Sequence, residues 1–187
     1  GIKLKKAGIR LPIIILTPGT GGFEDIIEYG LEPSIASFET ASEFVKAVKK
    51  SGKTNYPVHI KIDTGMSRVG FSSLQIPKLI DFIKESNTIS VKSLFSHLSS
   101  AEYIIYDTFT INQIEEFSSI YKLISEGIGY EPVKHILNSS GILRYPQYQF
   151  DMVRLGIVRY GSSYVDGSSY LMPAAELKAP VMNINKI

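Results

Sequence analysis

The hydrophobic pattern of this 187-residue chain switches repeatedly between the two-residue period of a β-strand and the 3.6-residue period of a helix. Short apolar or alternating runs that are typical of strands lie at residues 12–16, 33–38, 58–63, 91–96, 134–137 and 151–154. Apolar residues at helical spacing lie between them, as in the stripe of Ile76, Leu79, Ile80 and Ile83. Strands that alternate with helices predict the α/β class, with a parallel sheet covered by helices.

The helix boundaries are predicted from capping signals. Thr40 and Glu43 have the spacing of a capping box, so a helix is predicted to start at Thr40. Gly30 is expected to end the helix before it, and Gly127 and Gly129 to end the longest helix. The predicted buried faces of these three helices consist of Phe23, Ile26 and Ile27; Ala41, Phe44, Val45 and Val48; and Ile114, Phe117, Tyr121 and Ile124.

Both an open doubly wound sheet and a closed barrel fit this pattern. Polar residues cluster after four of the predicted strands, at residues 63–68, 97–102, 138–141 and 154–157. In a barrel these loops all share the carboxyl-terminal face, where active sites lie, so we predict a β/α (TIM-type) barrel. The chain supplies about six of the eight strands of a complete barrel, and we expect the other two to precede residue 1 in a larger protein.

The chain is expected to divide near residue 175. Residues 1–175 are predicted to form the incomplete barrel domain, which ends in the linker-like stretch 161–172. Residues 176–187 are predicted to begin a C-terminal β domain, because residues 179–187 alternate apolar and polar side chains.

The composition excludes several kinds of site and partner. The net charge of +2, from 20 basic and 18 acidic residues, is too small to indicate a nucleic-acid partner. The longest apolar run, residues 11–16, is far below the roughly 20 residues of a membrane span, so we expect no membrane association. The chain has no cysteine, and its three histidines without an acidic cluster at ligand spacing predict no metal site. The lack of cysteine fits the cytoplasmic location that we expect.

The sequence VHIKIDTGMSRVGF at residues 58–71 predicts a strand that ends in a functional loop. Arg68 lies in this loop between Gly65 and Gly70, where its guanidinium can face a bound anion. The alternative is an ordinary turn after a strand, in which Asp63 caps the local backbone.

The loop NSSG at residues 138–141 follows a strand and precedes a possible helical turn, which offers backbone N–H groups and a hydroxyl to an anion. Gly156 and Ile157 follow the next predicted strand and can bring further N–H groups to the same oxygens. Together the two loops predict a phosphate cradle. The alternative is a pair of ordinary loops, in which Ser and Gly are common.

Arg154 lies in the apolar context MVRL, so its guanidinium needs a partner. A structural salt bridge with Asp151 or Asp63 and a contact with a ligand atom are both open on this reasoning. His97 follows a predicted strand and suits a supporting hydrogen bond. The histidines predicted to be core or surface residues are His59 and His135.

Three motifs resemble the alanine racemases, which are fold-type III pyridoxal-phosphate enzymes. They are KIDTGMSRVGF at residues 61–71, SHLSSAE at 96–102 and LNSSGILRYPQYQFDMVRLGIVRYG at 137–161, and they occur in the family's order over essentially the whole chain. The resemblance implies an eight-stranded β/α barrel with a C-terminal β domain, working as a homodimer with pyridoxal 5'-phosphate as cofactor. It also implies interconversion of L- and D-alanine for peptidoglycan synthesis.

The residues that the resemblance implies for cofactor binding are Asn138, Ser139, Arg154, Gly156, Ile157 and His97. Ser139 and the N–H groups of Gly156 and Ile157 would hold the phosphate. Arg154 would donate to the pyridine nitrogen, braced from behind by His97. Because a guanidinium stays protonated, the ring nitrogen would stay unprotonated, which favours return of the proton to the α-carbon over transamination.

For the substrate side, the resemblance implies that Arg68 contacts the substrate carboxylate, the phenolate side of the cofactor and the catalytic tyrosine. Lys61 matches a position that is carbamylated in several members. Racemisation there needs two bases, a Schiff-base lysine on the first barrel strand and a tyrosine from the partner's C-terminal domain. Neither motif is found in these 187 residues, so the isolated chain is predicted to be inactive.

Three other interpretations of these motifs are a pyridoxal-phosphate homeostasis protein, a decarboxylase and a ligase/racemase module. A non-catalytic pyridoxal-phosphate homeostasis protein lacks a C-terminal β domain, which residues 179–187 argue against. A decarboxylase of the same barrel type usually places a carboxylate opposite the pyridine nitrogen, which Arg154 disfavours. The racemase module of a bifunctional cell-wall ligase/racemase stays open, as does the choice between alanine and serine.

Overall fold

The computed structural model describes residues 1–19, 21–176 and 178–180, in which strands and helices alternate along the chain. The strands are β1 (Ile14–Ile15), β2 (Glu32–Ile35), β3 (Tyr56–Lys61), β4 (Ile89–Phe95) and β5 (Val133–His135). The helices are α1 (Ile2–Lys6), α2 (Phe23–Glu28), α3 (Phe38–Lys50), α4 (Ile76–Ser86), α5 (Asp107–Ile128) and α6 (Ser139–Arg144). Single 3₁₀ turns at Ser73–Gln75, Ile104–Tyr106, Pro146–Tyr148 and Ile157–Tyr160 complete the regular structure of these residues.

The strands form one parallel sheet in the order β1-β2-β3-β4-β5, so each strand pairs with the next one along the chain. A doubly wound sheet reverses its strand order at a switch point, whereas a β/α barrel continues in sequence. This order therefore confirms the α/β class and the predicted incomplete barrel, with five of the eight strands of a complete one.

The two faces of the sheet differ in chemistry because successive side chains of a strand point to opposite sides. One face carries apolar residues such as Ile35, Val58, Ile60 and Leu94, which form a single buried core with the apolar stripes of the helices. The polar face carries Glu32, Ser34, His59, Lys61, Ser93 and His135, all of them buried.

A β-bulge in β4 sets which residues reach each face. Val58 pairs with Val91, but the next residue, His59, pairs with Ser93, so Lys92 is an extra residue on its strand. Before the bulge, Val91 lies on the apolar face. After it, Ser93 lies on the polar face beside His59, which the uninterrupted alternation would not allow.

One predicted strand is wrong, and another is shorter and less buried than predicted. Residues 151–154 form no strand, because only two separated backbone bonds hold them beside β5, from Asp151 N to Lys134 O at 3.1 Å and from Arg154 N to Leu137 O at 3.0 Å. The barrel part therefore has five strands here and not six. The apolar run 12–16 pairs only over Ile14–Ile15, and its two residues are half-buried at the edge of the described sheet.

Two predicted helix boundaries are also wrong. The second strand ends at Ile35, and Ser37 is the N-cap of α3, with its Oγ accepting from Thr40 N at 3.2 Å. Thr40 lies inside the helix, so no capping box forms there. Gly127 lies inside α5, where a Cβ would come within 2.7 Å of Ile80, and Gly129 at φ +84° ends the helix as predicted.

The predicted C-terminal β strand falls largely on residues 181–187, which lie outside the described residues, as does Leu177. The boundary near residue 175 therefore stays a prediction. Residues 161–172 form turns without a helix or strand, as the linker prediction requires. None of the helices in the described part of the chain has the length and apolar character to cross a bilayer.

The cap of α3 can be tested with two neighbouring variants. Ser37→Ala removes the acceptor for an N-terminal N–H group and is expected to lower the free energy of unfolding by about 1 kcal/mol. Thr40→Ala places a better helix former inside the helix and is expected to change it by less than about 0.5 kcal/mol. Chemical denaturation measures the free energy of unfolding of both variants. A larger loss for Thr40→Ala than for Ser37→Ala would show that the capping box does form at Thr40.

Candidate functional site

A cavity of about 690 Å³ lies at the carboxyl ends of the strands. It brings together all eight residues that the sequence and the resemblance singled out: Lys61, Arg68, His97, Asn138, Ser139, Arg154, Gly156 and Ile157. It also includes Ser140 and Leu155 from the predicted loops, and four lining residues that the sequence did not single out: Leu16, Thr17, Val69 and Phe95. Leu16, Thr17 and Phe95 lie at or directly after the ends of β1 and β4, so their place follows from the parallel strand order.

The loop after β3 is a closed turn that carries Arg68 to the cavity. Asp63 Oδ1 accepts from the backbone N–H groups of Gly65 and Ser67, each at 3.0 Å, which confirms its predicted capping role. The loop returns to its own strand at Phe71, whose N–H donates to Lys61 O at 2.9 Å. The backbone of the loop is therefore fixed at both ends, while the Arg68 side chain between them is exposed.

The loops at 138–141 and 156–158 meet at Ser139. Asn138 caps α6, with its Oδ1 accepting from Gly141 N at 2.9 Å and its Nδ2 donating to Leu98 O at 3.0 Å. The buried Ser139 Oγ accepts from Gly156 N at 2.9 Å and lies 3.5 Å from Val158 N. Ser139 and residues 156–158 are distant in the sequence, but the Ser139 hydroxyl and the backbone of 156–158 lie side by side on the cavity wall.

The side chain of Arg154 is held by backbone carbonyls and a histidine. Its Nη2 donates to Ser96 O at 2.5 Å and Ile136 O at 3.0 Å, and its Nη1 lies 2.5 Å from His135 Nδ1. Its Nε–H has no acceptor among the described residues. Burial lowers the pKa of Arg154 to about 10, so the guanidinium keeps its charge at neutral pH.

The structural salt bridge considered for Arg154 is absent from the described residues. Asp151 Oδ2 instead accepts from Lys134 N at 2.7 Å, and Asp63 Oδ1 accepts from the backbone N–H of Gly65 in its own loop. The charge of Arg154 is therefore balanced by dipoles and not by a carboxylate. An anion or an acceptor atom in the cavity would meet it without competition from an acidic side chain.

His135 contacts Arg154 more closely than His97 does. The His97 Nδ1 lies 3.4 Å from Arg154 Nη2, whereas His135 makes the 2.5 Å contact and stacks on Phe95 with ring centroids 5.1 Å apart. Burial and the charge of Arg154 lower the pKa of His135 to about 3 and that of His97 to about 4, so both rings are neutral. His135, which the sequence predicts to be a core or surface residue, is buried, and its contact with Arg154 has no signal in the sequence.

The cavity is positively charged. Lys61, Arg68 and Arg154 line it, and no Asp or Glu is among its lining residues in the part of the chain described. Burial, followed by the charges of Arg68 and Arg154, lowers the pKa of Lys61. The Lys61 side chain forms no ion pair among the described residues, so the cavity presents cationic and N–H donors to an anionic ligand.

Comparisons with known proteins agree with this geometry. Residues 1–164 match the family model described as alanine racemase, N-terminal domain. The chain belongs to the alanine racemase family. The alanine racemase of Lawsonia intracellularis is 36% identical over 169 residues, covering 86% of this chain and 44% of that protein. The alanine racemase of Treponema denticola is 34% identical, covering 100% of this chain and 50% of that protein.

Solved alanine racemase structures share the fold. The enzyme from a D-cycloserine-producing Streptomyces lavendulae superposes with a TM-score of 0.82 at 27% identity, over 92% of this chain and 47% of that one. An alanine racemase of Clostridium difficile 630 in complex with cycloserine gives 0.77 at 29% identity, over 92% of this chain and 48% of that one. The chain thus spans about half the length of the alanine racemases that it matches.

Because the loop that carries Arg68 closes tightly on its own strand, we expect position 70 to require glycine. Gly70 has φ +134°, and a Cβ there would lie 2.7 Å from Asp63 N, so Gly70→Ala is expected to lower the free energy of unfolding by about 3 kcal/mol. Gly52→Ala is the matched control, because Gly52 has φ +72° with open space around its Cβ, and about 1 kcal/mol is expected. If chemical denaturation gives equal losses of unfolding free energy for the two variants, a Cβ at position 70 does not clash with Asp63 N.

Proposed function

We propose that the full-length protein is a pyridoxal-phosphate-dependent alanine racemase and that this cavity holds the cofactor. When bound, pyridoxal phosphate supplies an electron sink that acidifies the α-carbon proton of an amino acid. The observation that carries the proposal is the half-buried Arg154, which is fixed by backbone carbonyls and has its Nε–H unpaired among the described residues. A charged donor held in this way beside a hydroxyl and N–H cradle fits a ligand with a ring acceptor and a phosphate.

The phosphate end of the ligand is assigned to the cradle around Ser139. The hydroxyl accepts from Gly156 N, so its own proton is free to point to a phosphate oxygen. The backbone N–H of Ile157, which has no acceptor among the described residues, is a second donor at the same wall. Asn138 contributes indirectly, because its cap holds the turn that carries Ser139.

The ring nitrogen of the ligand is assigned to Arg154. Since both histidines near it are neutral and its guanidinium keeps its proton, this residue donates a hydrogen bond but does not transfer a proton. In this role Arg154 would leave the ring nitrogen unprotonated, which would weaken the electron sink and favour return of the proton to the α-carbon. His97 supports the outer edge of the guanidinium through its longer contact.

The substrate carboxylate is assigned to Arg68, whose exposed guanidinium lies at the cavity wall. Lys61 is buried next to it with a lowered pKa, so a larger fraction of its amine is neutral and able to react with carbon dioxide. In that reaction the amine nitrogen bonds to the carbon atom, one C=O bond becomes C–O⁻, and the amine releases a proton. The resulting carbamate would pair with Arg68 and orient it.

The proposal places the complete activity in the whole protein. Racemisation needs a base on each side of the α-carbon, and the two that the family resemblance implies have no matching motif in these 187 residues, which we expect to be inactive alone. A homodimer, a role in supplying D-alanine for peptidoglycan and a cytoplasmic location are part of the proposal. A small amino acid is the proposed substrate, in keeping with the related enzyme solved with cycloserine.

The cradle assignment predicts that Ser139→Ala weakens cofactor binding. Loss of one hydrogen bond to a charged phosphate costs about 1.5–3 kcal/mol, so the Kd of pyridoxal phosphate for the full-length apoprotein is expected to rise roughly 10- to 100-fold. Ser118→Ala is the control, because it removes a hydroxyl from α5 that bonds to Ile114 O away from the cavity. If an absorbance titration of Ser139→Ala gives an unchanged Kd, the assignment of the phosphate to this cradle is wrong.

The Arg154 assignment predicts a change in reaction outcome. Arg154→Glu in the full-length protein places a group able to protonate the ring nitrogen, so alanine is expected to yield pyruvate and pyridoxamine phosphate at least about tenfold more often per racemisation, a barrier change of about 1.4 kcal/mol. Arg154→Lys keeps a cation and is expected to stay near the wild-type ratio. Folding of both variants is verified by circular dichroism. If neither racemisation nor transamination changes in Arg154→Glu, the role given to Arg154 is wrong.

A further inference from the structure

A continuous series of hydrogen bonds, buried at its centre and half-buried at both ends, runs from Arg154 across the polar face of the sheet. Its members in order are Arg154, His135, Ser93, His59, Glu32 and Lys92. The donor–acceptor distances are 2.5 Å from Arg154 Nη1 to His135 Nδ1, 3.0 Å from His135 Nε2 to Ser93 Oγ and 2.6 Å from Ser93 Oγ to His59 Nδ1. They continue with 2.9 Å from His59 Nε2 to Glu32 Oε2 and 2.7 Å from Glu32 Oε1 to Lys92 Nζ.

The strand order and the bulge make this chain possible. His135, Ser93, His59 and Glu32 lie on β5, β4, β3 and β2, so each of the three hydrogen bonds among them joins neighbouring strands of the sheet. The bulge at Lys92 turns Ser93 onto the polar face between the two histidines. It also frees Lys92, which is not paired in the ladder, to reach Glu32. A single irregularity in β4 therefore supplies both the middle and the end of the chain.

The chemistry of these six residues determines which atom of each hydrogen bond carries the proton. Burial lowers the pKa of His59 and His135, so each ring is neutral and carries one N–H. Burial tends to raise the pKa of Glu32, but its hydrogen bonds with Lys92 and His59 outweigh this and lower it, so Glu32 is an ionised carboxylate that only accepts. The Ser93 hydroxyl has one proton and must donate to one ring and accept from the other.

Only one order satisfies every contact. Because Glu32 accepts, His59 carries its proton on Nε2 and presents the lone pair of Nδ1 to the Ser93 hydroxyl. Ser93 then accepts from the Nε2–H of His135, which leaves the lone pair of His135 Nδ1 for Arg154. The opposite order would set an N–H of His135 against an N–H of Arg154 at 2.5 Å, where two donors repel.

We propose that Glu32 fixes the proton order of His59, Ser93 and His135, and thereby acts as a remote positioning residue for the Arg154 guanidinium. The proton order stands on the hydrogen-bond geometry alone. Its effect on the reaction rests on the proposed function, in which the charge and direction of Arg154 set the protonation of the ligand ring. Glu32 does not line the cavity and, among the described residues, makes no hydrogen bond to Arg154, so its influence passes through the histidines.

Neutron diffraction from deuterium-exchanged crystals of the full-length protein tests the proton order directly. Deuterium is expected on Nε2 of His59 and on Nε2 of His135, with Nδ1 of both rings unprotonated. Deuterium on Nδ1 of His135 in the wild-type protein would overturn the proposal whatever the cofactor or the activity proves to be.

Glu32→Gln is the informative variant. Lys92 is a donor and is expected to hold the amide oxygen, so the amide NH₂ faces His59 and reverses the chain. Deuterium is then expected on Nδ1 of both histidines, and the contact between His135 and Arg154 should be lost. In the double variant with Lys92→Met the amide can turn its oxygen to His59, so the wild-type order and the Arg154 contact are expected to return.

Ser34→Ala is the matched control for Glu32→Gln. Ser34 lies on β2 beside Glu32 and is buried, but its hydroxyl donates to Leu16 O and takes no part in the hydrogen-bond series. Ser34→Ala is therefore expected to keep the wild-type deuterium pattern. A wild-type pattern in Glu32→Gln as well would show that Glu32 does not set the order and would overturn the proposal.

The partition between racemisation and transamination separates this proposal from the proposed function. With the proton order reversed in Glu32→Gln, transamination is expected to rise in the same direction as in Arg154→Glu. If the neutron maps show the reversal while the partition stays at the wild-type ratio, the proton order is supported and the role of Arg154 in the proposed function fails. ¹⁵N spectra of the histidine rings report the same tautomers in solution if a variant does not crystallise.

Discussion

The alternation of side chains across the parallel strands is the constraint on which the rest of the structure depends. Each strand must place successive residues on opposite faces, so a strand that buries Val58 and Ile60 against the helices also buries His59 and Lys61 on the other side. Burial of polar groups costs free energy unless each one is hydrogen-bonded. The polar face is therefore connected from strand to strand, and its network ends at the cavity.

The Arg154 guanidinium is a charged group held partly out of water at this end of the sheet. A charge removed from water without compensation would cost several kcal/mol, and a nearby carboxylate is the usual solution. Here the Ser96 and Ile136 carbonyls and the neutral ring of His135 satisfy it instead. This choice keeps the cation fixed in direction without cancelling its charge, which leaves its electrostatic effect available to a ligand in the cavity.

Local patterns made most of the fold and the membership of the site predictable. Hydrophobic periods locate the core stripes of the helices, and polar motifs at strand ends bring Arg68 and Ser139 to one cavity because parallel strands end on one face. The bulge at Lys92 was not predictable, since one inserted residue leaves no change in composition or period over a seven-residue strand. The role of His135 depends on that bulge and on the register of β5, so a motif alone could not reveal it.

The charges of the cavity connect its stability to its occupancy. Lys61, Arg68 and Arg154 repel one another across a space without a carboxylate among its described lining residues, and burial together with this repulsion lowers the pKa of Lys61. A ligand that carries a phosphate and a carboxylate supplies the missing negative charge only in the folded state. Binding then stabilises the fold by RT ln(1 + [L]/Kd), about 2.7 kcal/mol at a hundredfold excess over Kd. An anionic ligand in the proposed site would therefore stabilise the whole fold and not only the cavity.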